Sequence, residues 1–300
     1  MKNRSGWIIG LLFVTHLFAL DHAAIAQDDL LSLLEEDESE ITYAEAAFKG
    51  TRIVNGHSTK LRNKNQLEFL ITHRFGPISS GGYELFGLDE ANIRLALEYG
   101  ISDAFEIGLG RSSFEKTYDG FLKWKFLRQK SGAKNSPVSM AWFSSMAVTS
   151  LRFEGQDVNF DDRTGYTHQL LIARKFNSAF SFQLNPGFVH LNTVPEIEDD
   201  NDILYLGGGF RYKFTPSVAL TFEYYYRFNE LSSVETYDPI GIGFDIETGG
   251  HVFQLVFTNS RPTFEKGFIT NTVDNFWDGD IRFGFNISRT FQTGVKKGDW

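Results

Sequence analysis

LYLGGGFRY, Leu204 to Tyr212, and LTFEYYYRF, Leu220 to Phe228, decide how this chain folds. In the first, Leu204, Leu206, Phe210 and Tyr212 alternate with Tyr205, Gly207, Gly209 and Arg211. In the second, Leu220, Phe222, Tyr224, Tyr226 and Phe228 alternate with Thr221, Glu223, Tyr225 and Arg227. A period of two sends neighbouring side chains to opposite faces of a strand, so each segment has one apolar face and one charged, polar or small face. The short link between them makes the pair an antiparallel hairpin.

The same rule extends in both directions. Leu67, Phe69, Ile71, His73 and Phe75 alternate with Glu68, Leu70, Thr72 and Arg74. Ile93, Leu95, Leu97 and Tyr99 oppose Asn92, Arg94, Ala96 and Glu98, and Phe105, Ile107 and Leu109 oppose Glu106, Gly108 and Gly110. Leu122, Trp124 and Phe126 flank Lys123 and Lys125. Met140, Trp142, Ser144 and Met146 form a weaker segment, and Tyr166, His168, Leu170 and Ile172 continue the series. In Phe180 to Phe188 the pattern persists, and Pro186 predicts a local bulge. Ile240 to Ile246, Phe253 to Phe257 and Ile281 to Ile287 complete about twelve segments, and an even number is usual for a bacterial single-chain barrel.

The connections alternate in length. Short links fall near residues 100–103, 174–179, 213–218 and 247–250, and longer polar ones near 76–90, 149–163, 192–202, 229–239 and 259–279. The link from Arg128 to Pro137 departs from this alternation. Barrels of this kind pair short periplasmic turns with long outer loops, which predicts both termini in the periplasm. The competing fold, a soluble β-sandwich or lipocalin-like barrel, would turn its apolar face inward. The strand number and the 30 Phe, 11 Tyr and 5 Trp favour the membrane, where aromatics gather at both interfaces.

The N-terminus points to export. Lys2 and Arg4 precede an apolar run from Trp7 to Leu20, and Ala24-Ile25-Ala26 is a cleavage site, so residues 1–26 read as a signal peptide. No cysteine is present, which excludes disulfides and a lipidated N-terminus, and no later apolar run is long enough for a spanning helix. The net charge of −9 becomes −10 once residues 1–26, net +1, are removed. Seven of those negative charges lie in QDDLLSLLEEDESE, residues 27–40, within an acidic extension spanning 27–64 that is either periplasmic or a lumen plug; LLSLLEE within it suits a short helix. Residues 41–300 carry about −3, which argues against nucleic-acid binding. The barrel itself is predicted over 65–291, with a tail over 292–300.

ITHRFG (Ile71 to Gly76), LALEYGISDAFEIGLGRS (Leu95 to Ser112), ETGGHVFQL (Glu247 to Leu255) and GDIRFGFNISRTF (Gly279 to Phe291) together resemble a family of outer-membrane β-barrels from Bacteroidota. The resemblance runs from about Tyr43 to Phe291 and implies an all-β, up-and-down transmembrane barrel in the outer membrane; the family has no established activity to carry over. Phe283, Phe285, Ile287 and Phe291 on the last strand look like a signal for the barrel-assembly machinery, although the chain continues to Trp300, a second candidate for the terminal aromatic.

Parity directs a mixed set of charges inward: Arg74, Arg94, Lys123, Lys125, Arg211, Lys213, Arg227 and Arg282 against Glu68, Glu98, Glu106, Glu223 and Asp245. Two readings follow, a narrow solute path that prefers anions or an ion-paired structural core. Ser144 and His168 fall opposite each other on the apolar face, as an outer-membrane lipase would need, but no third member is evident. Glu196 to Asp202 and Asp274 to Asp280 lack the spacing of a calcium loop. His57, His73, His190 and His251 lack metal-ligand spacing and read as surface or interface residues. Gly207 to Gly209 and Gly108 to Gly110 precede no helix and are not nucleotide loops. No cofactor is expected. The sequence therefore predicts a non-enzymatic outer-membrane barrel, either a small-solute channel or a non-transporting envelope component whose N-terminal extension docks a periplasmic partner.

Overall fold

The computed structural model describes residues 41–152, 157–248 and 251–293. The predicted signal peptide and cleavage site, the acidic run 27–40 with the helix expected in it, the turn expected at Gly249-Gly250 and the tail to Trp300 lie outside the described residues.

Twelve antiparallel strands close into one barrel. They are β1 (Gln66–Pro77), β2 (Ala91–Gly100), β3 (Phe105–Ser112), β4 (Thr117–Leu127), β5 (Ser139–Thr149) and β6 (Thr164–Lys175). They continue with β7 (Phe180–Leu191), β8 (Asp202–Lys213), β9 (Val218–Arg227), β10 (Ile240–Thr248), β11 (His251–Thr258) and β12 (Arg282–Gln292). Each strand pairs with its neighbours in sequence, and β12 closes on β1 from Gln292↔Gln66 to Arg282↔Pro77. Closure leaves no unpaired edge, the condition for exposing a sheet to lipid.

The faces decide between a membrane barrel and a soluble one. Leu109 is 72% exposed and Leu97 50%, whereas Arg94 and Glu98 are 1% and 0% exposed. Leucine outside and guanidinium inside is the reverse of a soluble β-sandwich, which would lose its hydrophobic driving force in this arrangement. Aromatics gather towards both ends of the wall, with Phe105 stacked on Trp124 near one rim and Phe75 on Phe283 near the other.

The predicted bulge at Pro186 is not present. Pro186 pairs with Leu206 in an unshifted register between β7 and β8, and the β6–β7 register keeps its phase across the gap in pairing between Gln169↔Gly187 and Ile172↔Leu184. One missing N–H leaves both ladders intact on either side. Register shifts occur instead at Arg282/Gly284 in β12 and Lys125/Leu127 in β4.

Links 101–104, 176–179 and 214–217 are short and share one end with the start of β1 and the end of β12. The long link after β4 sits at this end too, and the reason is visible. Its Lys130 and Ser131 pair with Tyr43 and Thr42 as a two-residue ladder, so the link receives the incoming chain. At the other end, α1 (Glu265–Thr270) lies within the link between β11 and β12. The sequence reads that link as a long polar connection; within it Phe264, Glu265, Phe268, Ile269 and Thr270 are buried.

Candidate functional site

The lumen holds a second piece of the chain. From Ala44, whose N–H bonds to the Gln129 carbonyl, residues 44–64 enter at the short-turn end, reverse at Ile53 to Gly56, and return to β1 at that same end. The reversal is a tight hairpin: Ile53 N–H donates to the Gly56 carbonyl at 2.8 Å and Ser58 N–H to Thr51 at 2.9 Å. No periodic apolar pattern marks this stretch, yet Ile53, Val54, Asn55, His57 and Ser58 are all at most 2% exposed. What buries it is a wall that supplies a polar partner at each level.

At the tip, the Glu223 carboxylate on β9 accepts three backbone N–H groups, from Val54 at 3.1 Å, Asn55 at 2.8 Å and Gly56 at 3.1 Å. The Asn286 amide on β12 donates to the Val54 carbonyl at 2.8 Å, and the Gln254 amide on β11 donates to that of Ile53 at 2.7 Å. Arg74 on β1 donates to the Asn55 side-chain oxygen at 2.7 Å. On the way back, Gln183 on β7 bonds to Thr59 N–H and the His57 carbonyl, each at 2.8 Å. Lys123 on β4 donates to the Lys60 carbonyl at 2.8 Å, and Glu106 on β3 accepts Arg62 N–H at 2.6 Å. Bonds to strands all round the circle can be made only from the axis, so the hairpin runs along the inside of the barrel.

The fit is steric as well. A Cβ on Gly56 would stand 1.7 Å from the Tyr225 hydroxyl, and Gly209 and Gly241 on the wall leave the room that Ile53 and Val54 occupy. Ion pairs add to this. Arg52 of the hairpin meets Glu98 at 2.8 Å and Arg62 meets Glu68 at 3.1 Å.

Most of the other inward charges find partners in the wall or the loops. Arg94 grips Asp119 through two nitrogens, at 2.8 and 2.5 Å. Arg211 reaches Asp245 at 3.3 Å and Glu247 at 2.7 Å, and Arg227 reaches Asp238 at 3.1 Å. Arg282 pairs with Asp274 and Glu90. Lys125 is half-buried and has no carboxylate within ion-pair reach among the described residues. Asp119 lies outside the alternation that starts at Leu122, but β4 begins at Thr117, and the odd-numbered parity of Lys123 and Lys125 carried back to that residue places Asp119 inward.

From the opposite end, the loop carrying α1 fills what the hairpin does not. Phe268 and Ile269 pack against Tyr205, Tyr225, Val189 and Ile203. Hairpin and loop meet where His57 Nε2 lies 3.7 Å from Glu265. His57 is therefore not a surface residue. It is 0% exposed, packed on the rings of Phe121 and Phe143 at 4.4 and 4.3 Å. These inward aromatics show that the lumen is apolar in part, because there the wall faces another packed segment and not water.

On the outer surface, Ser144 Oγ and His168 Nδ1 stand 2.9 Å apart across the β5–β6 register. The Trp142 indole N–H donates to the same oxygen at 2.8 Å, occupying a lone pair that a nucleophile would use. Among the described residues no carboxylate bonds to His168 to orient it. Ser144→Ala should leave phospholipid hydrolysis by the purified protein at background; a measurable hydrolysis lost on this substitution would make the pair catalytic. Of the remaining histidines, His73 stacks on Phe285 and His190 bonds to Asp202. No group of residues suited to holding a metal occurs among those described. Phe283, Phe285, Ile287 and Phe291 share the outward face of β12.

A closed barrel with leucine and aromatic side chains outside and charges inside is a membrane-spanning β-barrel. Residues 48–291 match the membrane bound beta barrel domain family (DUF5777), and the chain belongs to that family. No curated protein matches it. Among solved structures it is similar to the NanC porin, at 8% identity and a TM-score of 0.47, covering 76% of this chain and 100% of that one. It is similar also to the KdgM porin (10%, 0.45, covering 75% and 99%) and to outer membrane phospholipase A from Escherichia coli (10%, 0.40, covering 75% and 92%). Likeness this remote says nothing of activity.

Proposed function

We propose that the protein is an outer-membrane channel for small solutes, held closed by the hairpin 44–64. The observation that carries this reading is the chemistry of the seal. The hairpin tip is bound to the wall mostly through hydrogen bonds to Glu223, Asn286, Gln254 and Arg74, groups that water can satisfy when the hairpin withdraws. Both ends of the hairpin lie at one mouth, so it can leave without threading through the barrel. The outer membrane, as in the resembling Bacteroidota barrels, and periplasmic termini are supported by the signal peptide and by short links gathering at that mouth. Inward bases outnumber inward acids on the strands, which favours anions once the lumen is wet.

A non-transporting envelope barrel is the second reading, favoured by the loop 259–281, whose Phe268 and Ile269 are fully buried. Planar-bilayer recordings separate the two. The full mature chain should be silent, deletion of residues 44–64 should give brief openings, and further replacement of residues 262–273 by a Gly-Ser linker should give steady anion-preferring conductance. Silence of the double deletion in a protein that still shows the heat-dependent gel shift of a closed barrel would establish the structural role.

A further inference from the structure

A cavity of about 850 Å³ opens at the short-turn mouth, between the hairpin and the wall. Its three carboxylates are already engaged. Glu45 pairs with Lys175 at 2.8 Å, Glu68 with Arg62 at 3.1 Å, and Glu247 with both Lys49 at 2.9 Å and Arg211 at 2.7 Å. Two further lysines line the cavity, Lys60 from the hairpin and Lys213 from the end of β8, and neither has a carboxylate within ion-pair reach among the described residues. Lys60 also borders a neighbouring cavity of about 460 Å³ with Lys125, equally unmatched. Burial lowers the Lys60 ammonium from its ordinary value, and the adjacent Arg62 and Lys49 lower it further. Glu106 and Glu68, beyond ion-pair reach, offset part of this.

The lining adds hydroxyl donors, among them Ser181 and Ser217. Unmatched ammonium groups at a recessed, partly desolvated mouth concentrate field lines, and their attraction for an anion is screened less than at an open surface. A single monovalent ion would leave one lysine unsatisfied; a solute with two or more negative groups would answer both.

We propose that this vestibule binds a small organic polyanion, a solute bearing two or more carboxylate or phosphate groups, with Lys60 and Lys213 as its charged contacts. Binding here does not depend on conduction, because the cavity is open with the hairpin in place. Carboxylates and phosphates share the recognition chemistry of acceptor oxygens facing ammonium and hydroxyl donors.

Titration calorimetry of the detergent-solubilised full mature chain with citrate tests the proposal. Citrate should bind, its affinity should fall as sodium chloride rises, and uncharged sucrose should give no signal. Lys60→Gln with Lys213→Gln should weaken binding by about tenfold or more, the loss expected from two charged contacts. The exposed Lys64→Gln should leave it unchanged. Neither Lys60 nor Lys213 makes an ion pair among the described residues, so the double variant should keep the heat-dependent gel shift of the closed barrel. If it does not, the single variants serve instead, each expected to weaken binding by about threefold. Absence of citrate binding at millimolar concentration, or equal binding by the native and lysine-substituted proteins, would overturn the assignment. Phosphate-bearing and carboxylate-bearing solutes are then told apart by competition of pyrophosphate against citrate. Conductance that fails to appear in the deletion series leaves this result untouched, and the reverse holds as well.

Discussion

Glu223→Leu is expected to release the hairpin from a barrel that stays folded. One carboxylate accepts the N–H groups of Val54, Asn55 and Gly56, and leucine leaves all three without an acceptor. An orphaned buried donor costs about 1–3 kcal/mol, so the docked state should lose roughly 3 kcal/mol or more, a shift of at least about a hundredfold in its population. The strands keep their ladders, because Glu223 bonds the hairpin through its side chain and β8 and β10 through its backbone. Limited proteolysis should therefore cut within residues 44–64 of the variant and not of the native protein, with the heat-dependent gel shift retained in both. Glu223→Gln keeps one acceptor oxygen and should fall between them. Gly56→Ala reaches the same end from the hairpin side, since its Cβ would overlap the Tyr225 hydroxyl while the wall stays native. A hairpin as protected in these variants as in the native chain would mean that other contacts hold it.

Arg94→Met is expected to have the largest effect on the barrel itself. The guanidinium is 1% exposed and holds Asp119 through two parallel bonds, with Glu98 and Glu265 also nearby among the buried acids. Removing one partner of a buried pair strands the other charge, at a cost of about 3–5 kcal/mol. Urea unfolding in lipid vesicles should show that loss, and Arg94→Met with Asp119→Leu should recover much of it, because replacing both partners avoids the stranded carboxylate. A single variant within about 1 kcal/mol of native, in the range of solvent-exposed ion pairs, would show that water reaches the site.

These expectations revise what charge counting along the strands suggests. Replacing Lys123 by Glu reads, from parity alone, as a reversal of one lining charge. In the folded barrel that ammonium donates to the Lys60 carbonyl and faces Glu106 at 3.5 Å, so the change would break the hairpin's seat before it altered any selectivity. Lys125 and Lys213, half-buried and without a carboxylate partner among the described residues, are wall positions where a charge change speaks to solutes and not to an ion pair.

Period-two alternation settled the twelve strands, their antiparallel order, and which face of each is apolar, because a strand's side chains alternate whatever surrounds it. LTFEYYYRF already separates Glu223 and Tyr225 from Phe222 and Tyr224. The tertiary structure alone decided what those inward groups meet. The segment 44–64 has no periodicity to announce its burial; its backbone is satisfied by Glu223, Gln183, Gln254 and Asn286, residues far apart in sequence that converge only when β12 closes on β1. The loop carrying α1 was hidden for the same reason, since Phe268 and Ile269 find their apolar seat on Tyr205 and Tyr225 only inside a completed ring. Local pattern determines a strand and its faces, whereas the filling of a lumen depends on contacts between distant segments that exist only after the barrel has closed.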